Sequence, residues 1–188
     1  MRKEQVSSIE LANEYGRNEL LNVHPPDWKN PEPADRYTLV VVGAGPAGLL
    51  TALNAAKVGA KVALVERDRF GGACFNVGCI PSKAIIRTSR LYGEMRNAEN
   101  FGAQVPTGIS VEFSAVMERM RRVRARIGRR ISAQRLSSMG VDVYFGEAQP
   151  DPKRLWLRGS GCASSGRWSL AVRDLRFLRF PESPRQVI

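Results

Sequence analysis

The 188-residue chain has little of several residue types, and each scarcity excludes a class of protein. Three cysteines are too few for the disulfide framework of a small secreted domain. Residues 2–10 lack the apolar core of a signal peptide, and the uncharged run 39–56 is interrupted by glycine and proline. The single histidine, His24, leaves few ligands for a metal site, and we predict none. We therefore expect a cytoplasmic protein that neither spans nor binds a membrane.

Acidic residues are also scarce, 18 against 29 basic ones, but the imbalance is local. Residues 112–135 hold eight basic and two acidic side chains, and residues 149–188 hold eight and three, whereas residues 1–111 are almost neutral. Aromatic residues do not interleave with the arginines of 112–135, so stacking on nucleic acid bases is not expected. The pattern favours a solvated helix face and predicts no nucleic-acid partner. A basic adaptor that binds RNA or another anion is the alternative.

Hydrophobic patterning predicts an α/β fold in the middle of the chain. The apolar, β-branched stretches 37–42 and 61–66 predict two buried parallel strands. A helix over 47–57 joins them in a right-handed crossover. A short strand is expected at 141–145, where apolar and polar residues alternate.

Two further helices are expected between these strands. The first runs from Cys79 to about Asn97, and residues 98–109 form a loop. The second begins at Ser110, as its N-cap, and continues to Ser137 or Ser138. Its apolar residues recur at steps of three and four, which predicts one buried stripe with the arginines on the remaining faces.

The two ends of the chain have a different texture. Residues 1–36 are interpreted as an extension with a helical stretch that ends near Val23, followed by a proline-rich linker. Residues 149–188 form an atypical arginine-rich tail with no convincing strand or helix before 172–180. The middle part, 37–148, is expected to be the folded domain.

A glycine-rich turn connects the first predicted strand and helix. Residues 43–48, Gly-Ala-Gly-Pro-Ala-Gly, match G-x-G-x-x-G in the strand-turn-helix context that gives this pattern its meaning. Gly43 permits the tight turn, Gly45 lets backbone approach a pyrophosphate, and Gly48 lets helix and strand pack closely. Glu66, 23 residues after Gly43, ends the next strand, where a carboxylate can accept from ribose hydroxyls. The sequence therefore predicts a dinucleotide site, without distinguishing FAD from NAD.

The run 71–83, Gly-Gly-Ala-Cys-Phe-Asn-Val-Gly-Cys-Ile-Pro-Ser-Lys, contains two cysteines five positions apart. Cys74 and Cys79 can meet if the first lies in a turn that leads into the helix and Gly78 relaxes the joint. Cys79 then lies near a helix N-terminus, where a thiolate is stabilised. Lys83 follows one turn later and can face the same ligand.

Two other interpretations of this cysteine pair stay open from the residues alone. Cys74 and Cys79 could ligate zinc, but only Cys162 and His24 remain as partners, both in poorly patterned segments. They could also be inert buried thiols.

This run resembles the redox-disulfide signature of the class I pyridine nucleotide-disulfide oxidoreductases, G-G-x-C-x-N-x-G-C-x-P-S-K. The family includes dihydrolipoamide dehydrogenase, glutathione reductase and mercuric reductase. Every motif position is filled, and the resemblance extends over residues 37–148. The Ser82-Lys83 pair resembles the lipoamide and mercuric branches, and the lead-in 24–28 resembles mercuric-reductase-like proteins.

The resemblance implies a Rossmann-like FAD-binding domain, present here in part, and a role for each motif residue. Cys79 corresponds to the flavin-side thiol and Cys74 to the interchange thiol that meets substrate. Lys83 lies near the flavin ring, Glu66 holds the ribose, and residues 146–148 contact the adenine side. The implied cofactor-binding set is Gly43, Ala44, Gly45, Pro46, Ala47, Gly48, Glu66, Arg67, Gly71, Gly72, Ala73, Cys74, Cys79, Lys83, Gly146, Glu147 and Ala148.

The family pattern stops after Ala148. The chain shows no second glycine-rich motif for NAD(P)H, no dimerisation domain and no histidine base beyond His24. The abrupt loss of periodicity suggests a truncated gene product whose reading frame shifts near residue 149. Translation of the other two frames tests this idea, because a frameshift requires one of them to restore the missing motifs.

The resemblance thus implies a redox enzyme in which electrons pass from NAD(P)H through FAD to the Cys74–Cys79 pair. The pair would then reduce a small-molecule disulfide or a metal ion such as Hg(II), or exchange with a dithiol, in a family of homodimers. We expect no complete turnover from this chain alone. The alternative is a non-catalytic FAD-binding or redox remnant.

Overall fold

The computed structural model describes residues 21–151, 154–158 and 167–171. Three features of the sequence lie outside the described residues: the helical stretch expected before residue 21, the cysteine Cys162, and the region 172–180. Within the described part of the chain, no helix is both long and apolar enough to traverse a bilayer.

The centre of the fold is a three-stranded parallel sheet, in which the short strand predicted at 141–145 joins the two predicted parallel strands. Strands β1 (Leu39–Val42), β2 (Val62–Glu66) and β3 (Val141–Phe145) pair in the order β1-β2-β3. Helix α1 (Pro46–Lys57) connects β1 to β2. The mixed α/β fold with a parallel sheet is thus confirmed.

Four helices and two 3-10 turns lie between β2 and β3. The helices are α2 (Gly72–Asn76), α3 (Cys79–Arg96), α4 (Phe113–Gly128) and α5 (Ala133–Ser138), and the 3-10 turns are Ala98–Phe101 and Arg129–Ile131. Helix α3 packs against α4, and α5 packs against β3. The predicted bounds of α3 were right to within one residue.

The predicted N-cap of α4 was wrong. Ser110 precedes the helix, and the helix begins at Phe113 after Glu112. The Glu112 carboxylate accepts from the Ser114 backbone amide at 3.3 Å and from its hydroxyl at 2.6 Å. A carboxylate can cap a free amide as well as a hydroxyl can, and it also complements the positive helix end.

The single long helix to Ser138 was also wrong, because the chain turns after Gly128. A 3-10 turn (Arg129–Ile131) and the extended residue Ser132 separate α4 from α5. A Cβ atom on Gly128 would lie 3.4 Å from the Phe75 ring, so the helix end fits closely over the core. The Ser132 hydroxyl accepts from the Arg135 amide at 3.3 Å and begins the new helix.

Three antiparallel strands follow the parallel sheet. Strands β4 (Glu147–Asp151), β5 (Arg154–Arg158) and β6 (Arg167–Ala171) pair in the order β4-β5-β6. The expectation of no convincing strand in this region was therefore wrong. Each strand has five residues, a window too short for period-two alternation to stand out from a polar composition.

The two faces of the parallel sheet carry separate hydrophobic clusters. On one face, Leu64 and Val143 pack with α1 and α5. On the other, Val65 packs with Tyr37 and Tyr144, which are both fully buried. Alternate residues of β3 thus enter opposite clusters, as the period of a strand requires.

A buried polar network on the second face was not foreseen. The Tyr37 hydroxyl donates to Asp142 at 2.6 Å and lies 2.7 Å from the Tyr144 hydroxyl, which therefore donates to it. Lys61 pairs with the same Asp142 oxygen at 2.6 Å. Burial raises the pKa of both tyrosines, so the hydroxyls stay protonated donors.

The segment expected to be a linker covers the free edge of β3. Asn30 donates to the Phe145 carbonyl at 3.0 Å and accepts from the Phe145 amide at 2.8 Å. The Trp28 indole donates to the Val143 carbonyl at 3.3 Å, and the Val23 carbonyl accepts from Phe70 at 3.0 Å. The bonds from Asn30 and Trp28 satisfy backbone groups of an edge strand that water or another chain would otherwise contact.

We expect Asn30→Ala to lower the free energy of unfolding by about 1–3 kcal/mol, because it leaves both backbone groups of Phe145 without a partner. Urea unfolding measures the loss. Asn54→Ala, on the exposed face of α1, is the matched control and should change stability by less than about 0.5 kcal/mol. Equal effects of the two substitutions would show that Asn30 does not secure the edge.

Candidate functional site

The glycine-rich turn adopts the close geometry that its sequence predicts. Gly43 has φ +96, and its amide donates to the Val65 carbonyl at 2.7 Å. A Cβ atom on Gly48 would lie 1.9 Å from the Gly43 carbonyl oxygen, so only glycine fits there. Pro46 occupies the first turn of α1, and no acidic side chain accompanies it there. The free amides at the start of α1 therefore carry the partial positive charge of a helix N-terminus without a competing carboxylate.

Gly45 differs from the other two glycines of the turn. Its φ of −69 is open to any residue, and a Cβ atom would meet no described atom within 4 Å. The backbone at Gly45 is thus accessible, which leaves room for a pyrophosphate to approach it.

Glu66 connects the end of β2 to this turn. Its carboxylate accepts from the Ala44 amide at 2.7 Å and from the Asp68 amide at 2.8 Å. Its carbonyl accepts from Gly146 at 2.8 Å, which brings the end of β3 to the same place. Burial raises the pKa of the Glu66 carboxyl, and the two amide bonds oppose this rise.

This raised pKa makes stability depend on pH. The folded chain binds the Glu66 proton more tightly than the unfolded chain does, so this contribution is present below pH 4.5 and is lost as the pH rises through the folded-state pKa. We expect the unfolding free energy of Glu66→Gln, measured with urea, to lack this fall. If both proteins show the same pH dependence above 4.5, Glu66 is not its source.

The cysteine motif packs directly on the glycine-rich turn. Gly71 donates to the Ala44 carbonyl at 2.8 Å. A Cβ atom on Gly72 would lie 3.2 Å from the Gly45 Cα atom, and both glycines of the pair have positive φ, +89 and +56. A ligand on the turn would therefore lie beside the segment that begins the cysteine motif.

The two thiols meet, as the spacing allowed. Cys74 lies in the short helix α2 rather than in a turn, and Cys79 is the first residue of α3. Both are free thiols; Cys74 is half-buried and Cys79 is exposed. The hydrogen bond with Cys79 is the main cause that raises the pKa of Cys74, followed by burial, while the positive charge of Lys83 lowers it.

Gly78 forms the joint between the two helices. Its backbone, at φ −114 and ψ −105, is outside the helical region. Its amide donates to the Ala73 carbonyl at 2.8 Å, and a Cβ atom would lie 3.1 Å from that oxygen. This tight turn brings the second cysteine back towards the first.

The structure adds two residues that sequence reasoning did not assign to the site. The Asn76 amide group, on a residue that is 8% exposed, donates to the Phe70 carbonyl at 3.0 Å and to the Gly72 carbonyl at 2.9 Å. Arg124 of α4 is 7% exposed and donates to the Asn76 carbonyl at 2.7 Å. The prediction that the arginines of this helix lie on its solvated faces was therefore wrong for Arg124.

The other candidate residues lie on the surface or at its border. Lys83 lies on the exposed side of α3, and Arg67 is exposed just after β2. Glu147 is exposed, while Ala148 packs partly against the second cluster. In the described ranges, no three His, Cys, Asp or Glu side chains are placed to hold a metal ion.

Comparison with known proteins gives a family model and curated relatives. The model described as "Pyridine nucleotide-disulphide oxidoreductase" matches residues 37–136. The dihydrolipoyl dehydrogenase of Bacillus subtilis is 37% identical over 114 residues, which cover 60% of this chain and 23% of that protein. The dihydrolipoyl dehydrogenase of Zymomonas mobilis is 39% identical over 118 residues, which cover 62% and 24%. The chain thus spans about a quarter of the length of these relatives.

A solved structure shares the fold. The Cu(II) complex of RclA, an HOCl-induced flavoprotein disulfide reductase from Escherichia coli, superposes with a TM-score of 0.53. It is 25% identical, and the match covers 74% of this chain and 27% of that chain.

Proposed function

Since the chain belongs to the pyridine nucleotide-disulphide oxidoreductase family, we propose that residues 37–148 bind FAD and present Cys74 and Cys79 as its redox-active pair. The contact between the two motifs carries this proposal. Gly71 and Gly72 pack against Ala44 and Gly45 of the turn. A dinucleotide held at the turn would therefore be adjacent to the loop that leads into the thiols.

The residues present suit the FAD pyrophosphate and ribose. The first turn of α1 offers backbone amides without a competing carboxylate. Open space beside Gly45 admits the phosphates, whereas the crowding at Gly48 keeps helix and strand together. Glu66 lies at the end of β2, and its carboxylate has acceptor capacity beyond the two amides it binds.

We assign the individual roles as the motif positions imply. Residues 43–48 hold the pyrophosphate, Glu66 holds the ribose, and residues 146–148 with Arg67 border the adenosine side. Cys79 lies on the flavin side and Cys74 exchanges with substrate. Residues 71–73 and Lys83 line the approach to the flavin ring. Residues 1–36 and 149–188 flank this unit.

The thiol chemistry follows from the pair itself. A bound FAD would supply the electron pair, taken from NAD(P)H, that converts the Cys74–Cys79 disulfide into two thiols. The Cys74 thiolate then attacks a substrate disulfide and releases one thiol, and Cys79 displaces the second thiol to form the Cys74–Cys79 disulfide. Two electrons pass to the substrate in this exchange.

The substrate class we propose is a small-molecule disulfide or dithiol, with a metal ion of the Hg(II) type as the alternative. We propose a cytoplasmic setting and the homodimer typical of the family. We propose that the FAD-binding unit 37–148 does not complete turnover by itself, because a nicotinamide hydride donor needs a dinucleotide site of its own.

Gly45→Ala separates FAD binding from folding. The backbone tolerates alanine at this position, so we expect wild-type thermal stability together with a loss of at least about 100-fold in FAD affinity, about 2.7 kcal/mol. Ultrafiltration of the full chain with FAD measures the affinity, and thermal melting measures the stability.

The outcome that contradicts the proposal is equally clear. If the folded wild-type chain retains no FAD, or if Gly45→Ala binds FAD as tightly as wild type, then the turn is not a dinucleotide site. Addition of NADH or NADPH to the FAD-loaded protein tests the expected lack of turnover. Sustained reduction of a disulfide would contradict it.

A further inference from the structure

A buried arginine holds the connection between the two cysteines from outside the motif. Arg124 lies about one turn before the end of α4, 45 residues beyond Cys79, and is 7% exposed. Its guanidinium donates to the backbone carbonyl of Asn76 at 2.7 Å. Charge-assisted hydrogen bonds of this length are among the stronger ones in proteins.

The bonded carbonyl is at the end of the short helix that carries Cys74. Asn76 is the last residue of α2 (Gly72–Asn76), and helix ends leave their final carbonyls without a helical partner. The positive charge of Arg124 faces the negative end of this helix, which is the favourable orientation. Cys74 therefore lies in a five-residue helix whose far end is attached to α4.

The Asn76 side chain also holds the start of the cysteine motif. The Asn76 side chain donates to the carbonyls of Phe70 at 3.0 Å and Gly72 at 2.9 Å. Its Oδ1 atom is buried and has no hydrogen-bond partner among the described residues. Asn76 thus joins the start of the motif to α4 through Arg124, and displacement of its carbonyl would disturb both contacts.

We propose that Arg124 is a positioning residue for the cysteine pair: its bond to Asn76 keeps Cys74 and Cys79 at the separation from which a disulfide forms. This inference rests on the proposed function, in which the two thiols are a redox couple. It assigns to a residue of α4 a part in the geometry of the cysteine pair. From the sequence, the arginines of this helix were expected only on its solvated faces.

The Arg124–Asn76 bond affects disulfide formation through the effective concentration of one thiol near the other. A disulfide tolerates only a narrow range of Cα separation and dihedral angle. With oxidised glutathione, the pair forms its disulfide and releases two reduced glutathiones, so two electrons leave the protein. A loop that samples wider separations lowers the equilibrium constant for this exchange and makes the pair more oxidising.

The test compares Arg124→Met with Arg119→Met in a Cys162→Ser background of the full chain. Arg119 lies on the same helix but donates to Ala84 and Thr88 of α3, away from the motif. The proteins are equilibrated with glutathione buffers and alkylated, and mass spectrometry gives the oxidised fraction. We expect Arg124→Met to lower the equilibrium constant at least about tenfold, which corresponds to about 30 mV. Arg119→Met should change it less than about twofold.

Arg124→Lys supplies the rescue, because a lysine ammonium keeps a charged donor for the Asn76 carbonyl. We expect its constant to lie within about threefold of wild type. A merely structural role would lower the melting temperature of Arg124→Met but leave the exchange constant of the folded protein unchanged. If Arg124→Met does not fold, Arg124→Gln replaces it, since glutamine is too short to span the same distance.

Two negative results have different meanings. An Arg124 variant that folds and exchanges with the wild-type constant overturns the positioning role but leaves the redox pair in place. A wild-type chain that forms no disulfide between Cys74 and Cys79 at any glutathione ratio overturns the proposed function, and this inference with it.

Discussion

Gly48→Ala is expected to destabilise the domain by about 3 kcal/mol or more and to abolish FAD binding. The added Cβ atom would lie 1.9 Å from the Gly43 carbonyl oxygen and 3.3 Å from Val41. Both are parts of a buried strand and its turn, so neither can move without shifting β1 against α1. Overpacking in a core costs about 1–3 kcal/mol when side chains can adjust, and more when backbone must move.

The matched control is Gly93→Ala in α3. A Cβ atom there would meet nothing within 4 Å among the described residues, and the helical backbone suits alanine. This change should stabilise the protein by about 0.5–1 kcal/mol. Urea unfolding of the two variants measures the contrast, and a Gly48→Ala protein as stable as wild type would contradict the close contact between β1 and α1.

Either Cys74→Ser or Cys79→Ser is expected to remove the dithiol–disulfide couple completely. Cys79 is the main cause that raises the pKa of Cys74, so the two thiols are neighbours, and a disulfide between them needs both sulfur atoms. Each variant should therefore form no disulfide within the motif at any glutathione ratio, and its remaining motif cysteine should form only a mixed disulfide with glutathione. Alkylation and mass spectrometry of the full chain distinguish these species.

Cys162→Ser is the control for this pair. Because Cys162 is outside the motif, its removal should leave the exchange constant within about twofold of wild type. Persistence of an intramolecular disulfide in Cys74→Ser or Cys79→Ser would show that the third cysteine takes part. The assignment of the redox pair would then be wrong.

The central α/β unit was predictable because its signals are local and consistent. Two β-branched runs, a glycine turn and an alanine-rich helix each specify one conformation, and the parallel sheet follows from their order. The proximity of Cys74 and Cys79 was also accessible from sequence, since Gly78 relaxes the joint between them and Pro81 suits the first turn of the helix that begins at Cys79. At these residues the local sequence signals and the tertiary fold specify the same conformation, so the sequence was enough to predict it.

The failures occur where tertiary contacts decide local structure. The break at Gly128 depends on packing against Phe75, which lies more than 50 residues earlier in the chain. Burial of Arg124 depends on a carbonyl of Asn76 that only the fold brings near. Helical periodicity alone assigns such an arginine to the surface.

The edge of β3 illustrates the same limit. Asn30 lies among prolines and was therefore expected in a linker, yet its side-chain amide pairs with both backbone groups of Phe145. Strands β4 to β6 were missed because pairing with neighbours, rather than intrinsic preference, determines segments of five residues. No single-residue signal in the sequence identifies such partners.

The most direct test of this account is the visible spectrum of the FAD-loaded full chain before and after anaerobic reduction with a dithiol. If Cys79 lies beside the flavin as proposed, the flavin band of the wild type should gain a long-wavelength shoulder on reduction, whereas Cys74→Ser should show the shoulder both before and after reduction. Cys79→Ser should lack the shoulder. A folded protein that stays colourless after FAD loading, or a flavin spectrum that is the same in wild type and Cys79→Ser, would contradict the placement of the thiol pair at a FAD site.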